Sequence, residues 1–149
     1  MGGDKVLYVA TALTQHDPDL ERRVRIHRIR RPAGWETLEI GGGELYAVLE
    51  AAQRWETVLL DSLTLWVSAR MLDGEDDEGI FEAFEGFLEG AGVLATPLIL
   101  VSDEVGLGVV PESDAGRRFR DVLGLVNQRA AAVAEEVHLC VAGIGVRVK

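Results

Sequence analysis

Four short apolar runs punctuate this chain, each ending abruptly in a small or polar residue: Val6 to Ala10 before Thr11, Val58 to Leu60 before Asp61, Leu98 to Val101 before Ser102, and Val137 to Ala142 before Gly143. Runs of this length without polar alternation read as buried strands of a parallel sheet. Parallel neighbours need crossover connections, and the segments between the runs supply them. Glu44 to Trp55 carries Leu45, Val48, Leu49 and Ala52 at helical spacing, and Asp114 to Glu136 repeats Phe119, Val122, Leu123, Val126 and Val133 on one face. Strands alternating with helices predict a layered α/β fold. Asp17-Pro18 predicts a further helix start, running through Leu20 and Val24 towards His27 and ending before Pro32. Residues 73–79, DGEDDEG, read as an acidic surface loop, followed by a helix that turns Phe81, Phe84, Phe87 and Leu88 inward.

A chain of 149 residues suits a single domain, 1–149, and 48% hydrophobic with 27% charged residues is a globular composition, not a disordered one. The formal charge of −10 argues against nucleic acid and anionic membranes as partners, because any phosphate would be repelled except at a local cationic site. Cys140, the single cysteine, lies in an apolar run, which fits a reducing compartment and a packing role. The amino end has the wrong order of charge and apolar residues for a signal peptide, and no apolar run is long enough to span a bilayer. The expectation is a cytoplasmic protein.

Ligands of open parallel sheets bind beyond the carboxyl ends of the strands. That rule nominates Thr11, Asp61, Ser102 to Glu104 and the Gly143-Ile144-Gly145 turn as one rim. VLLDS, residues 58–62, has the form of a Walker-B strand, whose terminal carboxylate holds Mg²⁺ beside a triphosphate. The competing reading of Asp61 is a cap on the helix that starts at Ser62-Leu63. Arg22, Arg23, Arg25, Arg28, Arg30 and Arg31 crowd into ten positions and form the local cationic site that the charge argument requires, unless they are an exposed helix face paired with acids. His27 lies among them. An imidazole there can take a nucleotidyl group from an α-phosphate, although the same stripe position suits a partly buried packing histidine. His16 in a loop and His138 in a strand lack such surroundings. DEVGLGVVPES, residues 103–113, reads as a crossover loop whose glycines permit close backbone approach.

Longer signatures add to these readings. LVSDEVGLGVVPES, the R-x-F-R-D-x-x-G-x-V-N-Q-R-x-A run over 117–131, and AEEVHLCVAGIGVRVK resemble the carboxyl half of the bifunctional adenosylcobinamide kinase/adenosylcobinamide-phosphate guanylyltransferases. VLYVATA, the R-V-x-x-H-x-x-x-R-P-x-x-W-x-T-x-E pattern from Arg23 to Glu39, and VLLDSLT follow that family's order and spacing. The resemblance implies a P-loop nucleotide-hydrolase sheet, a trimer, Mg²⁺, and GTP and ATP as substrates beside adenosylcobinamide and its phosphate. It implies that His27 becomes guanylylated. Ala10, Thr11, Ala12, Arg28, Ile29, Arg30, Arg31, Glu39 and Asp61 would line the nucleotide site, with Asp61 at the metal.

Members of that family begin with a strand, a G-x-x-x-x-G-K-[ST] loop and a helix, roughly 25 residues in all. This sequence contains no such loop, and its two lysines, Lys5 and Lys149, are not preceded by glycine. The expectation is an amino-truncated α/β domain lacking its first strand, P-loop and first helix, with Met1 to Asp4 as the tail of that helix. Such a chain would be impaired. Neighbours of the missing central strand would be left with unpaired backbone and exposed apolar faces. The alternative is a non-catalytic remnant that binds a nucleotide or partner through its arginines; a transferase without kinase activity ranks below both.

Overall fold

The computed structural model describes residues 5–12 and 18–149, so Met1 to Asp4, His16 and the expected cap Asp17 lie outside it. The first apolar run is β1, Val6–Ala10. A helix, α1 (Pro18–Arg30), ends before Pro32 as its sequence requires. β2 (Glu36–Glu39) follows, then α2 (Tyr46–Ala52), β3 (Thr57–Asp61) and α3 (Leu63–Leu72). The chain continues with α4 (Asp77–Ala91), β4 (Leu98–Val101), α5 (Asp114–Val133), β5 (His138–Val141) and β6 (Ile144–Arg147).

Four strands pair in parallel in the order β2-β1-β3-β4. The sheet is thus of the expected α/β kind, with β3 bonded directly to both β1 and β4. Side chains alternate across it. Leu7, Val9, Val58 and Leu60 join the core with Leu38, Leu98 and Leu100, and this one face packs against α2, α3, α4 and α5. Trp66 of α3, Ile80 and Phe84 of α4 and Leu123 and Val126 of α5 are fully enclosed there. The acidic loop is shorter than expected: Asp76 caps α4 through the Gly79 N–H, so Asp77 and Glu78 fall in the first helical turn, where the helix dipole favours anions.

Two expectations are corrected, and one strand is additional to them. The fourth apolar run is not a parallel strand: β5 pairs antiparallel with β6, and both are exposed along their whole length. Ala142 and Gly143, both at positive φ, make the two-residue turn that twisted hairpins favour. Cys140 is consequently exposed and packs no core. β2 was not anticipated, because three of its four residues are polar or charged and it forms the sheet edge.

Candidate functional site

Parallel register brings the strand ends level. Glu39 of β2, Ala10 of β1, Asp61 of β3 and Val101 of β4 form one row. With strands about 4.8 Å apart, the Glu39 and Asp61 backbones stand about 10 Å apart. Just beyond β1, the buried Thr11 hydroxyl donates to the Ser62 carbonyl and accepts from the Ser62 N–H, each at 2.7 Å. The Thr11 N–H donates to the Asp61 carbonyl at 3.2 Å. Both the hydroxyl and the N–H of Thr11 are thus used in joining the β1 and β3 turns. Half-buried Ala12 follows.

Asp61 is not a helix cap. That role belongs to Ser62, whose hydroxyl accepts from the Leu65 N–H at 3.3 Å, and the Asp61–Ser62 peptide is cis. The Asp61 carboxylate instead receives, at Oδ2, the phenol hydroxyl of Tyr8. The Tyr8 ring lies beneath Arg31, whose guanidinium carbon is 3.4 Å from the ring centroid. Arg31 Nη1 also donates to Thr37 Oγ1 at 2.7 Å. Trp35 flanks the same ring at 6.4 Å. Burial, then the hydrogen bond from Tyr8 to Asp61 and the Asp61 charge, push the Tyr8 pKa up to about 12 against a smaller opposing effect of Arg31. The phenol therefore keeps its proton and donates it in the hydrogen bond to Asp61.

Arg28 forms an ion pair with Glu39, fastening the last turn of α1 to the end of β2. Both partners are more than half exposed, so the pair orients more than it stabilises. His27 sits in that same last turn and is exposed, which overturns the partly buried packing reading. Arg25, Ile29 and Arg30 are exposed as well. The structure therefore joins Arg31 and Asp61 through Tyr8, sets Ala10 and Thr11 at the end of β1 level with Asp61, pairs Arg28 with Glu39 at the neighbouring strand end, and leaves His27, Ile29 and Arg30 on the accessible end of α1.

The loop after β4 is braced to two helices. The Asp103 N–H donates to Thr64 Oγ1 at 2.8 Å, Ser102 Oγ to Asn127 Oδ1 at 2.6 Å, and Asn127 Nδ2 to the Asp103 carbonyl at 3.0 Å. Ser102 and Asp103 thus stay on the rim, whereas Gly143, Ile144 and Gly145 belong to the separate hairpin. Sequence reasoning missed Tyr8, Thr37 and Asn127 as site-forming residues. A tyrosine in the otherwise aliphatic run VLYVA was the available signal, since a buried hydroxyl must find a partner.

Among the described residues, no three His, Cys, Asp or Glu side chains converge on a metal position. Mg²⁺ does not need them, because it takes one or two carboxylates together with water and phosphate oxygens. Asp61, with Tyr8 on one oxygen, fits that donor set. No helix of the described residues is long and apolar enough to cross a membrane.

Residues 1–148 match the family described as cobinamide kinase / cobinamide phosphate guanyltransferase. The chain belongs to that family. It is 38% identical over 147 residues to the bifunctional adenosylcobalamin biosynthesis protein CobP of Pseudomonas aeruginosa, covering 99% of this chain and 84% of that protein. It is 38% identical over 157 residues to the bifunctional adenosylcobalamin biosynthesis protein CobU of Escherichia coli, covering 97% and 86%. The family's place is in cobalamin biosynthesis, and its kinase and guanylyltransferase activities belong to group-transfer enzymes.

Proposed function

We propose that this protein phosphorylates adenosylcobinamide and then transfers GMP to the product, with His27 as the carrier of GMP. In the transferase step an imidazole nitrogen of His27 attacks the α-phosphorus of GTP, a P–N bond forms, and the α–β phosphoanhydride bond breaks to release pyrophosphate. A phosphate oxygen of adenosylcobinamide phosphate then attacks the same phosphorus, the P–N bond breaks, and His27 is regenerated. Arg31 and Arg28 offer guanidinium forks to the phosphate oxygens, and such fixed cations gain strength as the charge grows in the transition state. Asp61 would hold Mg²⁺, which when bound neutralises triphosphate charge. Ala10, Thr11 and Ala12 at the end of β1, and Ile29 and Arg30 at the exposed end of α1, would complete the lining of the nucleotide site. GTP serves the transfer step and GTP or ATP the kinase step. We place the protein in the cytoplasm as a homotrimer.

The observation that carries this reading is the meeting of Arg31 and Asp61 over Tyr8 at the strand ends, with His27 four residues before Arg31 on the helix that ends there. We further infer that full activity requires a phosphate-cradling loop, which this sequence does not contain, and that the 149-residue chain alone is impaired. Labelling with α-³²P-GTP tests both points. A chain extended by in-frame upstream residues carrying G-x-x-x-x-G-K-S should incorporate label that His27→Ala abolishes. The 149-residue chain should incorporate little. Label retained in His27→Ala removes histidine as carrier, and strong labelling of the short chain removes the need for the loop. The arginine cluster over residues 22–31 also suits a second reading, a nucleotide-binding remnant without catalysis, which predicts GTP binding with no label in either form.

A further inference from the structure

Tyr8 is the one polar side chain of β1, and it is only 7% exposed. Its hydroxyl reaches across to the Asp61 carboxylate of β3, and its ring face carries Arg31, which in turn reaches Thr37 of β2. One side chain of β1 thus bonds β3 directly and is linked to β2 through Arg31. A ring that only filled space would be better as phenylalanine, which brings no buried hydroxyl to satisfy. Here the hydroxyl makes a charge-assisted bond, among the stronger hydrogen bonds available to a protein. Arg31 Nε is buried with no hydrogen-bond partner among the described residues, so the stack on Tyr8 supplies orientation that its hydrogen bonds do not.

We propose that Tyr8 is a positioning residue of this site: its hydroxyl fixes the Asp61 carboxylate while its ring fixes the Arg31 guanidinium, setting the spacing between metal ligand and phosphate ligand. The inference rests on the proposed reading of Asp61 and Arg31 as nucleotide-site residues. It separates two contributions. The hydroxyl governs the metal-dependent part of triphosphate binding through Asp61, and the ring governs the metal-independent part through Arg31.

Isothermal titration of GTP with and without Mg²⁺, in whichever length of the protein binds GTP, resolves the two parts. Tyr8→Phe should cut the gain in affinity conferred by Mg²⁺ by about tenfold, the size of a hydrogen bond to a charged group. Tyr8→Leu should in addition weaken metal-free binding by about two- to fivefold, the size of a partly exposed cation–π contact. A Mg²⁺ gain in Tyr8→Phe equal to that of the wild type overturns the positioning role. If no length of the protein binds GTP, the nucleotide reading is overturned and the positioning role built on it falls with it; GTP binding with an unchanged Mg²⁺ gain in Tyr8→Phe overturns the positioning role alone.

Discussion

Tyr8 holds its proton more tightly in the folded chain than in the unfolded one, where an ordinary phenol titrates near 10. With a folded pKa of about 12, the sign follows directly. Between about pH 10 and 12 the unfolded state has lost a proton that the folded state keeps, so stability present below about pH 10 is lost as pH rises towards 12. The loss is on the order of 2 kcal/mol. Urea denaturation at pH 9 and pH 12 should show the wild type losing this increment and Tyr8→Phe losing much less; equal losses in both would contradict a buried, Asp61-bonded phenol. At this scale the sequence was partly legible. Asp61 and Arg31 could be picked out because carboxylate after an apolar run and clustered guanidinium are compositional signals. Their common partner could not, because the side chain that joins them lies 23 positions from one and 53 from the other, and only strand pairing brings them together.

Among the elements, those with a strong period declared themselves and those without did not. α4 and α5 bury Phe84 and Phe87, and Val122, Leu123 and Val126, at the spacing visible in the sequence, whereas Val133 of the expected stripe is 64% exposed and Ile80, which the pattern did not single out, is enclosed. β2 was hidden by its polar composition, and the β5–β6 hairpin by an apolar run that resembles a buried strand until the Ala142-Gly143 turn reverses it. The turn after β2 was also silent. There, the Trp66 indole N–H donates to the Gly43 carbonyl at 3.1 Å, and Arg70 Nη1 reaches the Gly42 carbonyl at 3.5 Å, clamping the turn to α3. A Cβ on Gly42 would lie 2.7 Å from Ala69 Cβ. Gly42→Ala must therefore push the turn off α3, at a cost of about 1–3 kcal/mol. Gly34, where a Cβ meets nothing within 4 Å, is the matched control, and Gly34→Ala should change stability by less than about 0.5 kcal/mol. Thermal melting of the pair decides it: equal shifts would mean that the turn yields freely.

For the whole molecule, the decisive asymmetry is between the two faces of one sheet. Leu98 and Leu100 of β4 turn into the core, whereas Ile99 and Val101 remain 48% and 38% exposed on the opposite face. On that opposite face, Arg28 and Arg31 link the end of α1 to β2 and β1, but the β4 side stays open among the described residues. β4 also pairs on one side only among the described residues. A parallel sheet is ordinarily covered on both faces, so an apolar half-face beside an unpaired edge is an invitation to self-association. Alternate residues of a single strand should then respond in opposite ways. Leu100→Ala opens the packed side and should cost about 2 kcal/mol, the lower end for a leucine truncation because the residue is only partly enclosed. Ile99→Lys exchanges an already hydrated side chain and should cost less than about 1 kcal/mol. The same lysine should suppress concentration-dependent association in sedimentation velocity, because an edge charge resists strand addition. Leu100→Ala should leave association unaltered or increase it. If Ile99→Lys instead unfolds the 149-residue chain, that face is covered in solution and the open half of the sheet is not a property of this chain alone.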